Sequence, residues 1–228
     1  MAVTENIYET VKPYLEAENI LYKLIPFLEY TKETQDRWMK DWGTKYTLNI
    51  CSKFLLFKFY EYDKLVYIDS DIIIYQNIDR LFMYPDGALY NDNGRPFIGL
   101  FTFIPQNHKA DYYYILSNCC GIIESDVLEP LFFPFKSNVD YRIPFEYYVN
   151  ITYDNLDDYD FQTIKVYHFC YKYKPWKYNS PEEYLKTFYD GFDEKKPYSE
   201  NRKIIVEDYF DLYYYPLLNK YPELKNFN

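Results

Sequence analysis

The stretch KLVYIDSDIIIYQNIDRLF, residues 64–82, decides how the chain is read. Leu65-Val66-Tyr67-Ile68 is too short for a buried helix and rich in β-branched and aromatic residues, so it reads as a central strand. It stops at an acid. In extended backbone, side chains two apart point the same way, which sets the carboxylates of Asp69 and Asp71 on one side and Ser70 on the other. Two unscreened carboxylates about 4 Å apart repel by roughly 4 kcal/mol at an effective dielectric near 20. A divalent cation reverses that sign, so the pair reads as a metal site. The plain alternative is a strand followed by an acidic turn.

Outward from this centre, the composition limits what the site can serve. The chain has 228 residues, enough for one well-buried core, and a net charge of -10 with no basic stripe. That argues against nucleic acid, whose binding depends on clustered Lys and Arg neutralising phosphates. A phosphate-bearing ligand would need a metal or a few well-placed cations instead, which suits Asp69 and Asp71. The 4 cysteines, Cys51, Cys119, Cys120 and Cys170, have no zinc-clamp spacing and read as free thiols. No apolar run approaches the ~18 residues of a membrane span, and the first residues do not form a signal peptide. The expectation is a soluble chain, cytoplasmic or otherwise intracellular, with no membrane partner and a homodimer allowed.

The flanking segments alternate in period. Met1 to Thr4 reads as the end of a strand, with Thr4 capping a helix over about 6–16 that Pro13 kinks or shortens. Ile20 to Phe27 reads as a second strand, and Leu48 to Phe59 as a helix with a wide apolar face that carries Lys53. Strand, helix, strand, helix, strand implies a crossover α/β sheet with ligands outside the carboxyl ends of its strands. Beyond the centre, Phe97 to Ile104 is a strand, Asn107 to Leu116 and Asp126 to Phe133 are helices, and Val139 to Asp160 is irregular. Thr163 to His168 is again a strand, ending on a polar residue. Ser180-Pro181-Glu182-Glu183 is a capping box, and Arg202 to Leu218 is helical but interrupted by Pro216.

His168 at its strand end, followed by Lys174-Pro175-Trp176, supplies a second set of groups. A neutral imidazole added to two carboxylates, with diphosphate oxygens filling the remaining positions, makes a mixed octahedral site that suits Mn²⁺ better than Ca²⁺. Lys174 would present a point charge to a phosphate group.

Asp69-Ser70-Asp71, then Asn77-Ile78-Asp79-Arg80-Leu81-Phe82, then His168 with Lys174-Pro175-Trp176, resemble the metal strand and the H-x-x-G-x-x-K-P-W segment of the glycogenin-like retaining glycosyltransferases, family eight. Tyr171 stands where the family has glycine. The resemblance covers about residues 1–178 and starts at the family's second strand, without its first strand-helix unit. It implies an α/β fold of the GT-A type: a Rossmann-like, mostly parallel sheet flanked by helices. A glycosyltransferase-like domain would occupy 1–178 and a helical extension 179–228.

The resemblance also implies an activity. A hexose, glucose, would pass from a UDP-sugar donor to a hydroxyl acceptor with retention, dependent on Mn²⁺ or alternatively Mg²⁺. Asp69, Asp71 and His168 fall on the metal ligands, while Lys53, Ser70 and Lys174 fall on donor-binding positions. Glu124 takes the place of a carboxylate near the sugar, with Asp126 as the alternative acid and Ser125 replacing the family Gln. Phe97 and Ile98 replace an Asn and a Ser beside the donor sugar, and Tyr153 lies near the region of the family's acceptor tyrosine. Two other readings stay open: a non-catalytic relative with a degenerate donor pocket that serves as an interaction protein, and an acidic metal-dependent phosphohydrolase.

Overall fold

The computed structural model describes residues 1–29, 31–36, 50–92, 95–118, 138–169, 173–191 and 195–227. They form an α/β protein with two compact units: Met1–Tyr67 with Phe82–Arg142, and Ile68–Leu81 with Ile143–Asn228. The stretch 64–82 is therefore shared between them. Among the described residues, no helix is long and apolar enough to cross a membrane.

The first unit begins with β1 (Ala2–Thr4), α1 (Glu5–Ala17) and β2 (Lys23–Ile25), the two strands pairing in parallel with Val3 opposite Leu24. Thr4 has the extended backbone of a capping residue, but its side chain makes no capping bond. Pro13 does not shorten the helix, which runs on to Ala17. Asn19 stops it. With φ 53, Asn19 adopts the left-handed conformation, and the Ile20 amide donates back to the Leu15 carbonyl at 2.8 Å. This is a Schellman ending with Asn in the place more often held by Gly. The strand expected over 20–27 is correspondingly reduced to three residues.

The apolar segment before the centre is a 3-10 helix, Ile50–Lys58, where α-helix was expected. In that tighter turn, side chains three apart are aligned, which is the spacing of the fully buried Phe54 and Phe57. They pack with Leu89, Phe101, Phe103, Tyr112 and Ile115 to form the core of this unit. The sheet beside them has the order β3-β6-β5-β7, with β3 (Leu65–Ile68), β5 (Leu89–Asp92), β6 (Arg95–Phe103) and β7 (Arg142–Ile143). Among the described residues, β3 stands at the end of that order and not in the middle of a sheet. A helix, α2 (Lys109–Asn118), follows a 3-10 turn at Pro105–His108. The helix expected over Asp126–Phe133, along with Cys119, Cys120, Cys170 and Tyr171, lies outside the described residues.

The second unit is built on a three-stranded sheet of order β4-β9-β8, from β4 (Ile72–Ile74), β8 (Val149–Asn150) and β9 (Val166–His168). β4 runs antiparallel to β9, with Ile72 opposite His168, and β8 runs parallel to it, with Asn150 opposite His168. The segment read as irregular thus supplies a strand to the site. After β4, the Asn77 side chain accepts from the Asp79 amide at 2.7 Å, an Asx turn that starts a 3-10 turn and carries Leu81 into the interior.

The C-terminal helices belong to the same core. α3 (Pro181–Gly191) and α4 (Glu200–Tyr209) bring Tyr184, Phe188, Ile205 and Val206 against Ile73, Tyr167 and Phe169. At α3 the Ser180 hydroxyl accepts from the Glu183 amide at 3.2 Å, as a capping box requires, while the Glu183 carboxylate accepts from the Asn179 amide at 2.9 Å. Pro216 does not break the last helix. A π turn at Phe210–Tyr214 carries α4 into α5 (Tyr215–Lys220), so the wider turn absorbs the amide that proline lacks.

Candidate metal centre

The site lies in the second unit and starts from a turn. β3 ends at Ile68, Ser70 and Asp71 form a turn, and β4 begins at Ile72. Asp69 and Asp71 are therefore not alternate residues of one extended strand, as their spacing suggests. Across this turn their carboxylates come within reach of one ion.

Backbone pairing then fixes Asp71 against β9. The Phe169 amide donates to the Asp71 carbonyl at 2.9 Å, continuing the β4-β9 ladder past Ile72 and His168. His168 lies between β4 and β8, with its side chain only 5% exposed. Its Nε2 is 2.9 Å from Asp71 Oδ1 and 3.9 Å from Asp69 Oδ2. One ligand atom from each of these three residues lies within 4.8 Å of the others, a grouping that can hold a metal ion.

Lys174 completes the arrangement. As the residue before Pro175 it is extended (φ -98, ψ 123), which aims the chain into the 3-10 turn Pro175–Lys177. Its ammonium donates to Asp71 Oδ2 and, at 2.6 Å, to the Phe169 carbonyl. It also lies 5.9 Å from the Trp176 ring centroid, within cation-π range. Burial pushes the Asp71 carboxyl up, but the hydrogen bond and charge of His168 and then the charge of Lys174 outweigh it. The result is a carboxyl held down at about 2. Asp71 is ionised across the neutral range.

The donor set fits a first-row divalent ion. Two carboxylates and an imidazole are the mixture such ions accept, and the 2.9 Å separation of Asp71 Oδ1 from His168 Nε2 is about that of adjacent ligands on a metal with bonds near 2.1 Å. On the far side of the ring, the buried Tyr148 hydroxyl is hydrogen-bonded to His168 Nδ1. Sequence reading did not find Tyr148. Among 31 tyrosines, and in a segment read as irregular, nothing in the sequence marked it out.

No protein-family model matches the chain. The chain is 25% identical over 248 residues to galactinol synthase 1 of Solanum lycopersicum, an alignment covering 93% of this chain and 71% of that protein. Galactinol synthase 1 of Arabidopsis thaliana is 53% identical over 45 residues, which is 20% of this chain and 13% of its own length. The chain is thus similar to galactinol synthases, in keeping with its resemblance to the family-eight glycosyltransferases. The crystal structure of the glycosyltransferase GlyE of Streptococcus pneumoniae TIGR4 aligns over 92% of this chain and 63% of its own, at 14% identity and a TM-score of 0.49.

Asp69, Asp71, His168 and Lys174 come together in the second unit. Ser70 occupies the turn between the two acids. Lys53 belongs to the first unit, where it is buried with its ammonium 4.8 Å from the Tyr67 ring centroid. Glu124 and Asp126 lie outside the described residues. Tyr153 is half-buried, stacked on Phe145 at 5.6 Å, and its carbonyl accepts from Arg202.

Proposed function

We propose that this chain is a metal-dependent retaining glycosyltransferase that takes glucose from a UDP-sugar and passes it to a hydroxyl acceptor. The observation that carries this reading is the convergence of Asp69, Asp71 and His168 within 4.8 Å, with Lys174 on the same carboxylate. Asp69, Asp71 and His168 would hold Mn²⁺, with Mg²⁺ as the alternative. When bound, the ion supplies neutralising charge for a departing diphosphate. Lys174 would bind the diphosphate from its own side, exchanging its contact with Asp71 for phosphate oxygens. Ser70 and Lys53 would contact the donor, and Glu124 or Asp126 would supply the carboxylate beside the sugar.

The similarity to galactinol synthases supports the nucleotide-sugar class and makes galactose the second sugar to test. The test is incubation of the chain with UDP-glucose or UDP-galactose and Mn²⁺, with and without hydroxyl acceptors, followed by chromatography and mass spectrometry. UDP release coupled to a new glycoside is the expected result. Breakdown to free phosphate would favour a phosphohydrolase. Metal-dependent UDP binding with no turnover of any donor would favour the degenerate-pocket reading, which the replacements at Phe97, Ile98, Ser125 and Tyr171 motivate.

A further inference from the structure

Tyr148 is fully buried and lies at the end of the 3-10 turn Phe145–Tyr147, immediately before β8. Its amide donates to the Phe145 carbonyl at 2.8 Å, and the parallel register of β8 on β9 sets the next residues, Val149 and Asn150, opposite Tyr167 and His168. The backbone therefore delivers the phenol beside the imidazole. The two rings meet edge to face, with centroids 5.2 Å apart at 74°. Their polar ends meet as well, hydroxyl to Nδ1.

We propose that Tyr148 is a positioning residue for His168, holding the imidazole so that Nε2 faces Asp69 and Asp71 as a cation ligand. This rests on the metal reading of the site given above. A ring nitrogen that ligates a metal carries no proton, so the hydrogen of a neutral imidazole must then sit on Nδ1 and needs an acceptor. The Tyr148 oxygen is that acceptor. In the structure, Asp71 Oδ1 lies 2.9 Å from Nε2 and a carboxylate can only accept, so there Nε2 carries a hydrogen. A hydroxyl can donate to a bare Nδ1 or accept from a protonated one. Tyr148 thus serves both arrangements without turning the ring, whereas a carboxylate could only accept.

The test uses the full chain and Mn²⁺ alone, followed by titration calorimetry. Tyr148→Phe removes one oxygen and keeps the buried ring, and should raise the Mn²⁺ dissociation constant about 10- to 100-fold. In a His168→Ala background the same substitution should change the remaining affinity by less than about twofold, because its effect passes through the imidazole. A second measurement needs no Tyr148 variant. With diamagnetic Mg²⁺ bound, the ¹⁵N shifts of His168 should show Nδ1 protonated; the chain's 2 histidines are told apart by His168→Ala. Parent-like affinity in Tyr148→Phe, an equal loss in the His168→Ala background, or a bare Nδ1 with Mg²⁺ bound would each overturn the role of Tyr148 while leaving the metal reading intact. A parent chain that binds neither ion would overturn the metal reading and this inference with it.

Discussion

Asp71 answers to two neighbours at once. Its Oδ1 faces His168 and its Oδ2 faces Lys174, so a cation that binds the carboxylate competes with an ammonium already there. Replacing Lys174 with Met should therefore move two affinities in opposite directions. Mn²⁺ alone should bind more tightly, and UDP in the presence of Mn²⁺ should bind about tenfold more weakly, since a charge-assisted contact to phosphate is lost. Calorimetry with each ligand separates the two effects, and losses of both would show that Lys174 merely supports the fold. His168→Ala should weaken Mn²⁺ binding less than Asp71→Ala does, because two carboxylates remain. The grouping of Asp69, Asp71, His168 and Lys174 was legible from the sequence because Asp-x-Asp, a strand-end His and Lys-Pro-Trp occur together in one pattern, although acids and lysines are common in this chain. Tyr148 was not, because its role depends on a strand of only two residues, Val149–Asn150, too short to leave a periodic pattern.

Among the elements, α4 shows how the second unit is held around the site. Its N-cap, Ser199, is fully buried; its hydroxyl accepts from the Arg202 amide at 3.0 Å and donates to Asp157 at 2.8 Å. Asp157 also accepts from the Asn201 amide at 2.9 Å, so one carboxylate and one hydroxyl satisfy the helix start. One turn in, the fully buried Arg202 guanidinium donates to the Ile151 and Tyr153 carbonyls at 2.9 and 2.7 Å. Ile151 directly follows β8, so this cation ties the last helices to the strand beside His168. Ser199→Ala should cost about 1 kcal/mol, read as a lower urea midpoint with unchanged slope. An unchanged midpoint would mean that Asp157 alone suffices. Element type was readable where caps and β-branched runs mark it, as at Ser180 and Leu65–Ile68. It failed where 3-10 and α spacing look alike, as at Phe54 and Phe57, and at Pro216, where a π turn removes the expected break.

For the whole molecule, the pH dependence of stability should carry the mark of the first unit. His108 Nε2 lies 3.0 Å from Asp86 and its Nδ1 3.2 Å from Asp111. Burial lowers the affinity of His108 for a proton, but its hydrogen bonds and charge interactions with Asp86, and then with Asp111, raise it above the ordinary histidine value. Burial likewise raises Asp86, but His108, Asn107 and the Ile104 amide bring it below the ordinary carboxylate value. The His108 contribution is complete below about pH 6.5 and is lost as pH rises through the folded value. The Asp86 contribution is complete above about pH 3.9 and is lost as pH falls. Stability from this pair is therefore greatest between the two. Urea midpoints measured from pH 5 to 9 should decline on the alkaline side in the parent and stay flatter there in His108→Gln; equal declines would remove His108 from the cause. At this scale the α/β class was legible from the alternation of periods. The division into two units within residues 64–82 was not, because the short apolar run Ile72–Ile74 beyond the acids gives no sign that it joins a second sheet.

The proposed activity depends most on the Asp69, Asp71 and His168 group holding a divalent ion that recruits a nucleotide diphosphate. Thermal unfolding with excess UDP, with Mn²⁺ or with EDTA, on the parent and on Asp71→Ala, tests this most directly. A ligand at about 100 times its dissociation constant stabilises by roughly 2.7 kcal/mol, a shift of a few degrees for a chain of this size. The prediction is a shift with UDP and Mn²⁺ that EDTA abolishes and Asp71→Ala lacks. A parent that UDP and Mn²⁺ leave unshifted, or an Asp71→Ala variant that shifts as the parent does, would contradict it.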